Sequence, residues 1–209
     1  MIKSLNKKVA GTSPSKAWFP ATHTHVMGYP SNVCIIMITL LVDYFNPISQ
    51  KSYDELLFQL QFHQLTCSCG HSGCLSIHGY YHRSIKSPSG LLRLRICRVI
   101  CSLCGHTHAL LPSTMVPYSQ ISLPEQVDLI TSYEKEQNPS PIMVSNPSID
   151  ESNYRYIISK YLLYWKQRLL AERIILLEPL LLTRKCMLMF SLQFMQIKCT
   201  PNILFLNTT

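Results

Sequence analysis

The chain has 209 residues, which is enough for one domain or two small ones. Apolar residues make up 47% of it, so a packed core is expected and general disorder is excluded. The net charge of +8 favours an anionic partner such as a nucleic acid.

Neither of the two apolar segments is suited to crossing a membrane. The run Val33–Val42 ends at Asp43, well short of the ~20 residues that a spanning helix needs. The region 162–182 carries charged side chains throughout. The basic start of the chain is followed by glycine and proline and not by the apolar stretch of a signal peptide. A soluble cytoplasmic protein is therefore expected.

Composition divides the chain into three parts. Residues 1–62 form a partly irregular lead-in, with an apolar segment at Val33–Phe45 and a short helical pattern at Tyr53–Phe62. Residues 63–118 are rich in cysteine, and residues 119–209 show the periodicity of helices. The predicted class is α+β, a small β zinc-ribbon module followed by a helical, helix-turn-helix-like region.

The cysteine-rich part contains no Asp or Glu between Gln61 and Ser122, and it holds six of the eight histidines. Its cysteines are Cys67, Cys69, Cys74, Cys97, Cys101 and Cys104. In a reduced cytosolic chain, such a cluster indicates a metal site and not disulfides. The isolated Cys34, Cys186 and Cys199 lie in apolar surroundings and are interpreted as core thiols.

Two short chelating pairs stand within this part. They are Cys67-Ser-Cys69-Gly and Cys101-Ser-Leu-Cys104-Gly. A glycine after each pair supplies the positive φ that turns backbone amides towards the sulfurs. Four thiolates from two such turns complete the tetrahedral shell of a structural zinc ion. The predicted ligands of one Zn2+ are therefore Cys67, Cys69, Cys101 and Cys104.

Three alternatives remain open at this stage. Cys74 lies five residues after Cys69 and could replace Cys67. A histidine near a turn could complete a Cys3His shell, the candidates being His71, His106 and His108. The six cysteines could also be unpaired thiols buried in a small β module. Cys97 falls on a predicted strand, where a core thiol is expected.

Between the pairs, the sequence predicts a hairpin. Ser76–Arg83 is a β-prone run, and Ser87–Gly90 is a turn signal. The run Leu92–Ile96 alternates strictly, with leucine and isoleucine on one face and arginine on the other. The side chains predicted to contact DNA phosphates here are Lys86, Arg93, Arg95 and Arg98.

These motifs resemble a known group of sequences. The segments that carry the resemblance are 67–74, His78-Gly-Tyr-Tyr-His-Arg83, 94–99, 101–112 and Val116-Pro-Tyr118, continuing through 152–157 and Trp165. They are similar to an uncharacterised bacterial family, common in Firmicutes, that looks like the zinc-ribbon and helix-turn-helix front ends of insertion-sequence transposases. The resemblance implies zinc binding and DNA binding, with the four paired cysteines at the metal positions. Transposase ribbons usually show C-x-x-C where this chain has the shorter Cys67-Ser-Cys69.

The last part begins with a well-marked helix. Ser122 is the expected N-cap, Pro124 and Glu125 suit the first turn, and the helix is predicted to run to about residue 136. A second helix is predicted from 149–152 onward, with the apolar positions Ile157, Ile158, Tyr161, Leu162, Trp165 and Leu169 on one face. A third helix could lie within 142–148, and a last apolar helix is predicted over 180–192.

The spacing of Arg155, Lys166 and Arg173 places them along one side of a regular helix, where they are predicted to read a DNA groove. The alternative is that these residues form only the solvated side of an amphipathic helix.

The sequence contains none of three common catalytic motifs. The chain lacks H-E-x-x-H, the deaminase H-x-E with P-C-x-x-C, and the Walker phosphate loop. Its eleven acidic residues are scattered, whereas a transposase nuclease core needs three carboxylates around two metal ions. The expected function is therefore non-catalytic DNA binding associated with a mobile element. The rival interpretation is a zinc-ribbon module that binds a protein, as an accessory to a transposase or a transcription complex.

Overall fold

The computed structural model describes residues 37–43, 48–176 and 178–196. These residues form a four-stranded sheet, with most of the helices following it along the chain. The predicted α+β class is confirmed at this level. Cys34 and Cys199 lie outside the described residues, as do the parts of the predicted apolar segment before Met37 and after Asp43.

The centre of the sheet is the predicted hairpin. Strand β2 (Leu75–Ser87) pairs antiparallel with β3 (Gly90–Cys101), and the turn lies between Ser87 and Gly90. The predicted alternation in β3 is confirmed, because Leu94 and Ile96 are fully buried while Arg93 and Arg95 are exposed. The register shifts between Ile77 and Gly79, where β2 has one extra residue.

Two further strands extend this hairpin into a larger sheet. Strand β4 (Thr107–Pro112) pairs antiparallel with β3, and β1 (Met37–Leu40) pairs parallel with β4. The order of the strands is β1-β4-β3-β2. Part of the predicted lead-in therefore belongs to the same sheet as the cysteine module.

Helix α1 (Gln50–Gln59) also joins the lead-in to the sheet. It begins at Ser49, whose hydroxyl accepts a hydrogen bond from the Ser52 amide in a reciprocal capping arrangement. The Gln50 side chain accepts from the backbone N–H of Arg95 at 2.7 Å. Tyr53 is buried against the sheet, and a 3-10 turn at Phe62–Gln64 leads into the cysteines.

The first helices of the last part begin where their capping signals indicate. Helix α2 (Leu123–Glu134) starts at Ser122, which forms a capping box with Glu125. Helix α4 (Glu151–Lys160) starts at Asp150. Between them lies the short α3 (Ser140–Ser145), which confirms that the Pro- and Asn-rich connection contains a helix.

Helix α4 continues into a π-helical turn at Tyr161–Trp165 and then into α5 (Lys166–Ala171). A π turn contains more residues than an α turn, so it rotates the residues that follow relative to a regular helix. Leu162, predicted on the buried face, lies within this turn and is 40% exposed, whereas Trp165 and Leu169 are buried as predicted. Arg173 lies beyond the end of α5 with a left-handed φ of 52°, and the predicted alignment of Arg155, Lys166 and Arg173 on one regular helix is wrong.

The buried side chains form two clusters. The first surrounds the sheet and includes Met37, Leu40, Tyr53, Leu75, Leu94, Ile96, Val99, Leu110 and Leu111. The second lies among the helices and includes Val127, Ile130, Ile157, Tyr161, Trp165, Leu169, Leu182 and Phe194. Helix α6 (Pro179–Phe190), the predicted last helix, closes the second cluster, and Phe190 packs edge-on against Trp165.

The division between the clusters falls between Met115 and Val116, near the predicted boundary at residue 118. Hydrogen bonds nevertheless cross it. The Arg83 guanidinium donates to the carbonyls of Val116 and Ser119, and the buried Gln193 amide donates to the Met115 carbonyl at 2.6 Å. Of the helices in the described ranges, none has the length and apolar character needed to span a bilayer.

Candidate metal centre and basic hairpin face

The two cysteine pairs lie in turns that share one hydrogen-bond pattern. In the first, Gly70 N–H donates to the Cys67 carbonyl and Cys67 N–H donates to the His71 carbonyl, both at 2.9 Å. In the second, Gly105 N–H donates to the Cys101 carbonyl and Cys101 N–H donates to the His106 carbonyl, again at 2.9 Å. The shorter Cys-x-Cys pair therefore closes the same kind of turn with one residue fewer.

Glycine is required in both turns by the backbone. Gly70 has a φ of 87° and Gly105 a φ of 71°, in the region that side chains with a Cβ rarely adopt. The turn at Gly105 aims the amides of Leu103 and Cys104 at the Cys101 sulfur, at 3.4 and 3.5 Å. This confirms the role that the sequence assigns to the two glycines.

The sulfur atoms of the two turns meet in one cluster. The sulfurs of Cys67, Cys69, Cys74 and Cys101 all lie within 4.8 Å of one another. Cys69 Sγ is 3.8 Å from Cys101 Sγ, and Cys67 Sγ is 3.5 Å from Cys104 Sγ. With Zn–S bonds of ~2.3 Å, the sulfurs of a zinc tetrahedron stand about 3.8 Å apart. The cluster can therefore hold a metal ion, and its all-sulfur donor set fits a soft one.

Cys74 is part of this cluster, although it belongs to neither pair. It follows Gly73, which has a φ of 73°, and its thiol donates to the His71 carbonyl at 3.2 Å. Its own carbonyl accepts from the Ser102 amide at 2.8 Å, which ties it to the second turn. Cys67, Cys69 and Cys101 are common to the predicted set and to the mutually close set, whereas Cys74 and Cys104 are rivals for the fourth position.

The three histidines named as alternative ligands differ in position. His108 is buried in β4, and its Nε2 lies 3.2 Å from Cys67 Sγ. His71 is exposed, and its imidazole hydrogen-bonds to Cys69. His106 is exposed beside Gly105 and contributes its carbonyl to the second turn. His108 and His71 therefore each contact a clustered cysteine, His108 from a buried position and His71 from an exposed one.

Hydrogen bonds favour the thiolate form at one cysteine of each turn. The backbone N–H and then the imidazole of His71 lower the pKa of the Cys69 thiol. At Cys101, burial opposes ionisation, but the amides of Cys104 and Leu103 bring its pKa down to about 6. Thiolates are the form that binds metal ions, so both turns are prepared for coordination.

Cys97 does not join the cluster. It lies on β3 with its side chain fully buried among the apolar residues of the sheet, as predicted for a core thiol. Burial raises the pKa of its thiol, which keeps it protonated. Cys186 is likewise buried in the helical cluster.

The predicted basic residues of the hairpin form two groups. Arg93 and Arg95 project from the exposed face of β3, and the Arg95 guanidinium stacks 4.6 Å from the ring of Tyr80. His82, opposite Arg95 in the register, is exposed on the same face. We call Tyr80, His82, Arg93 and Arg95 the basic hairpin face.

Lys86 and Arg98 make contacts within the protein instead. Lys86 Nζ donates to the Asn153 side chain at 2.6 Å, linking the end of β2 to the first turn of α4. Arg98 donates to the Thr107 hydroxyl at 3.1 Å. Both side chains are half-buried, so they are less accessible to a nucleic acid than the basic hairpin face.

The basic residues predicted on the helices are not brought together. Arg155 pairs with Glu151 one turn away at 2.6 Å, and both side chains are largely exposed. Lys166 pairs with Glu134 of α2 at 3.0 Å, and Arg173 is exposed beyond α5. Exposed ion pairs of this kind contribute at most about 1 kcal/mol to stability, so they do not prevent the cations from meeting another anion.

Sequence reasoning missed two features of this region. The sequence predicts Tyr80 to lie on a strand but does not indicate its contact with Arg95. The two are diagonal neighbours across the hairpin, which permits stacking. Cys74 was weighed as a substitute for Cys67, whereas the fold adds it to the cluster beside Cys67. The signal for this was the glycine at position 73, which allows the chain to turn back towards the first pair.

Residues 66–150 match the model of a family described as a domain of unknown function (DUF6431). The match covers less than half of the chain. Neither the comparison with curated proteins nor that with solved structures gave a match. The matched segment starts one residue before Cys67 and ends at Asp150, the N-cap of α4. The chain is therefore similar to this family over the clustered cysteines, the hairpin and the two helices that follow.

Proposed function

We propose that this protein is a non-catalytic DNA-binding protein in which one structural zinc ion stabilises the sheet module. The zinc ligands would be Cys67, Cys69 and Cys101, with Cys104 or Cys74 as the fourth. Softness of the thiolate donors favours zinc over calcium or magnesium. A cytoplasmic location fits such a site, because thiols stay reduced there.

The observation that carries the proposal is the basic hairpin face, which lies on the strand that leads to the cysteine cluster. Arg93 and Arg95 are exposed on a strand whose last residue is Cys101, a clustered cysteine. The sequence between Gln61 and Ser122 contains no acidic residue. The ring of Tyr80 holds the Arg95 guanidinium above the sheet, which reduces the conformational entropy that binding would cost.

The association with a transposase, which the motif sequences suggest, is part of this proposal. The zinc-ribbon and helix-turn-helix descriptions belong to it as well. They are supported by the two cysteine turns and by the succession of α2, α3 and α4. In this arrangement α4, with Arg155 exposed on it, is the helix that would enter a DNA groove.

DNA binding is tested by fluorescence anisotropy with a labelled duplex over a range of salt concentrations. For the unaltered protein, log K should fall by ~0.9 per neutralised phosphate for each tenfold increase in salt. The double variant Arg93→Ala, Arg95→Ala should bind more weakly. Its plot of log K against log salt concentration should be shallower by about 1.8, because two phosphate contacts are removed.

The matched control is Arg184→Ala, Lys185→Ala, which removes the same charge from exposed positions on α6. It should leave the slope unchanged. Equal losses in both double variants would mean that only net charge matters, and unchanged binding in the hairpin variant would refute the proposal.

A second candidate function is the binding of a protein partner. The observation in its favour is a shallow groove between α2 and the π-helical turn, lined partly by Tyr133, Tyr154, Ile158, Leu162 and Leu163. Leu162 and Leu163 are both exposed there. Association through such an apolar surface should barely respond to salt, which distinguishes it from DNA binding in the same titration.

A further inference from the structure

The cysteine cluster contains one more thiol than a structural zinc ion can bind. Such a site is closed by four ligands in a tetrahedron. Four sulfurs are mutually close, those of Cys67, Cys69, Cys74 and Cys101, and Cys104 Sγ lies a further 3.5 Å from Cys67 Sγ. A zinc ion bound in this cluster would therefore leave one thiol uncoordinated and in contact with a zinc-bound thiolate.

Burial and bonding distinguish Cys74 from Cys104. Cys74 is buried, and its carbonyl accepts a hydrogen bond from the Ser102 amide of the second turn. Cys104 is half-buried and lies between the exposed residues Leu103 and Gly105. Of the two thiols, Cys104 is the one that a small molecule in solvent can reach.

We propose that the zinc ion is bound by Cys67, Cys69, Cys74 and Cys101, and that Cys104 is the thiol that peroxide oxidises first, after which it forms a disulfide with Cys67 and releases the metal. This inference rests on the zinc site of the proposed function. It assigns a modification site to Cys104 and gives the metal centre a sensitivity to oxidants.

The chemistry balances with hydrogen peroxide as the oxidant. The Cys104 thiolate attacks one peroxide oxygen, the O–O bond breaks, and hydroxide leaves, which gives a sulfenic acid at Cys104. The Cys67 thiolate then attacks the sulfenic sulfur, and the S–S bond forms as hydroxide leaves. Two sulfurs lose two electrons to one peroxide, and the zinc ion loses one of its four thiolates.

The 3.5 Å between the two sulfurs is the distance that makes the second step fast. A disulfide bond is ~2.05 Å long, so a movement of roughly 1.5 Å brings the atoms into bonding distance. Both partners lie on turns, and Cys104 is the less buried of the two. Because Cys67 is already in contact, disulfide formation competes with further oxidation of Cys104 to the irreversible sulfinic acid.

The test measures zinc release from the purified full-length protein with a chromogenic chelator after addition of hydrogen peroxide. The unaltered protein should release its zinc and yield a Cys67–Cys104 disulfide on peptide mapping. The variant Cys104→Ser should keep its full zinc content and release zinc at least about tenfold more slowly, because the accessible thiol is removed and Cys67 is buried. Its Cys67 should stay reduced on peptide mapping.

The control variant is Cys186→Ala, which removes a buried thiol from the helical cluster and should release zinc at the unaltered rate. Loss of zinc from Cys104→Ser before any peroxide is added would show that Cys104 is a ligand, and would overturn the inference while leaving the zinc site intact. Equal release rates in Cys104→Ser and the unaltered protein would overturn the role of Cys104 as the peroxide-sensitive thiol. An unaltered protein purified without zinc would instead refute the metal site of the proposed function.

Discussion

The hydroxyl of Tyr53 accepts a hydrogen bond from the backbone N–H of Cys97 at 3.0 Å and donates one to the carbonyl of Leu110 at 2.8 Å. Strands β3 and β4 pair through Val99 and His108, and the next rung of the ladder would join Cys97 to Leu110 directly. The tyrosine hydroxyl takes the place of that rung. Helix α1 is thereby connected to the line along which the two strands separate.

We expect Tyr53→Phe to destabilise the protein by about 1–3 kcal/mol, because a buried amide and a buried carbonyl both lose their partner. The ring itself remains to fill its site, so no cavity contributes to the loss. Burial also raises the pKa of the Tyr53 hydroxyl far above that of an exposed tyrosine, so it stays protonated as a donor. Urea unfolding measures the change in the free energy of unfolding.

The control is Tyr80→Phe, whose ring is 45% exposed on the basic hairpin face. Tyr80→Phe should lower the free energy of unfolding by no more than about 0.5 kcal/mol. Equal effects in the two variants would show that the bridging hydroxyl has no special role.

The hairpin and the helix starts could be predicted because their signals are local. Alternation in 92–96 and the turn at 87–90 fix the pairing of β2 with β3, and Ser122 with Glu125 fixes the start of α2. Each signal lies within a few residues of the feature that it determines.

The remainder depends on contacts between distant parts of the chain. The parallel pairing of Met37 with Ala109 joins short apolar segments that carry no pattern of their own. The site shows the same limit, because spacing identifies the two cysteine pairs but not a fifth thiol that reaches them through a turn at Gly73. The π-helical turn likewise leaves no signal in the spacing of apolar residues. The pattern of a regular helix therefore predicts Leu162 to be buried, whereas it is exposed.

Tyr161 gives an expected pH dependence. Burial, and then the neighbouring Glu134, raise the pKa of its hydroxyl to about 12. The unfolded value is about 10, so the folded state prefers the neutral phenol, and its contribution to stability is complete below pH 10 and lost as the pH rises towards 12. Between pH 9 and pH 11 the loss should be about 1 kcal/mol.

Comparison with Tyr161→Phe isolates this effect, since phenylalanine does not titrate. The difference in the free energy of unfolding between the two proteins should shift in favour of the variant over that pH interval. A difference that is constant between pH 9 and pH 11 would contradict the raised pKa.

Gly105 offers a test of the second cysteine turn. Its φ of 71° costs a residue with a Cβ roughly 1–2 kcal/mol, although an added Cβ would meet nothing within 4 Å. We expect Gly105→Ala to weaken zinc binding by about tenfold, because the unfavourable backbone conformation destabilises the metal-bound state. A competition titration with a chelator measures the affinity.

Gly105→Asn is the matched variant, because asparagine tolerates the left-handed conformation better than alanine. It should recover part of the lost affinity. If alanine and asparagine weaken binding equally, the backbone conformation is not the cause.

Removal of the metal should separate the two clusters of buried side chains. The cysteines line one side of the sheet cluster, whereas the helical cluster has its own large side chains, with Trp165 packed between Phe190 and Phe194 at 5.8 and 5.2 Å. Zinc contributes on the order of 10–16 kcal/mol in small zinc domains, which is more than a small sheet can replace. A chelator should therefore unfold the sheet module, including β1 and α1, and leave most of the helical circular dichroism.

Trp165 emission reports on the helical cluster in a Trp18→Phe background, where it is the remaining tryptophan. The wavelength of the emission maximum should not change on chelation. It should shift to longer wavelength in urea, which serves as the positive control. Hydrogen exchange should rise in all four strands and in α1, and stay low in α2 and α4. A single transition that shifts Trp165 on chelation would mean that the hydrogen bonds from Arg83, Lys86 and Gln193 join the two clusters into one cooperative unit. In that case the boundary near residue 118 would have no thermodynamic meaning.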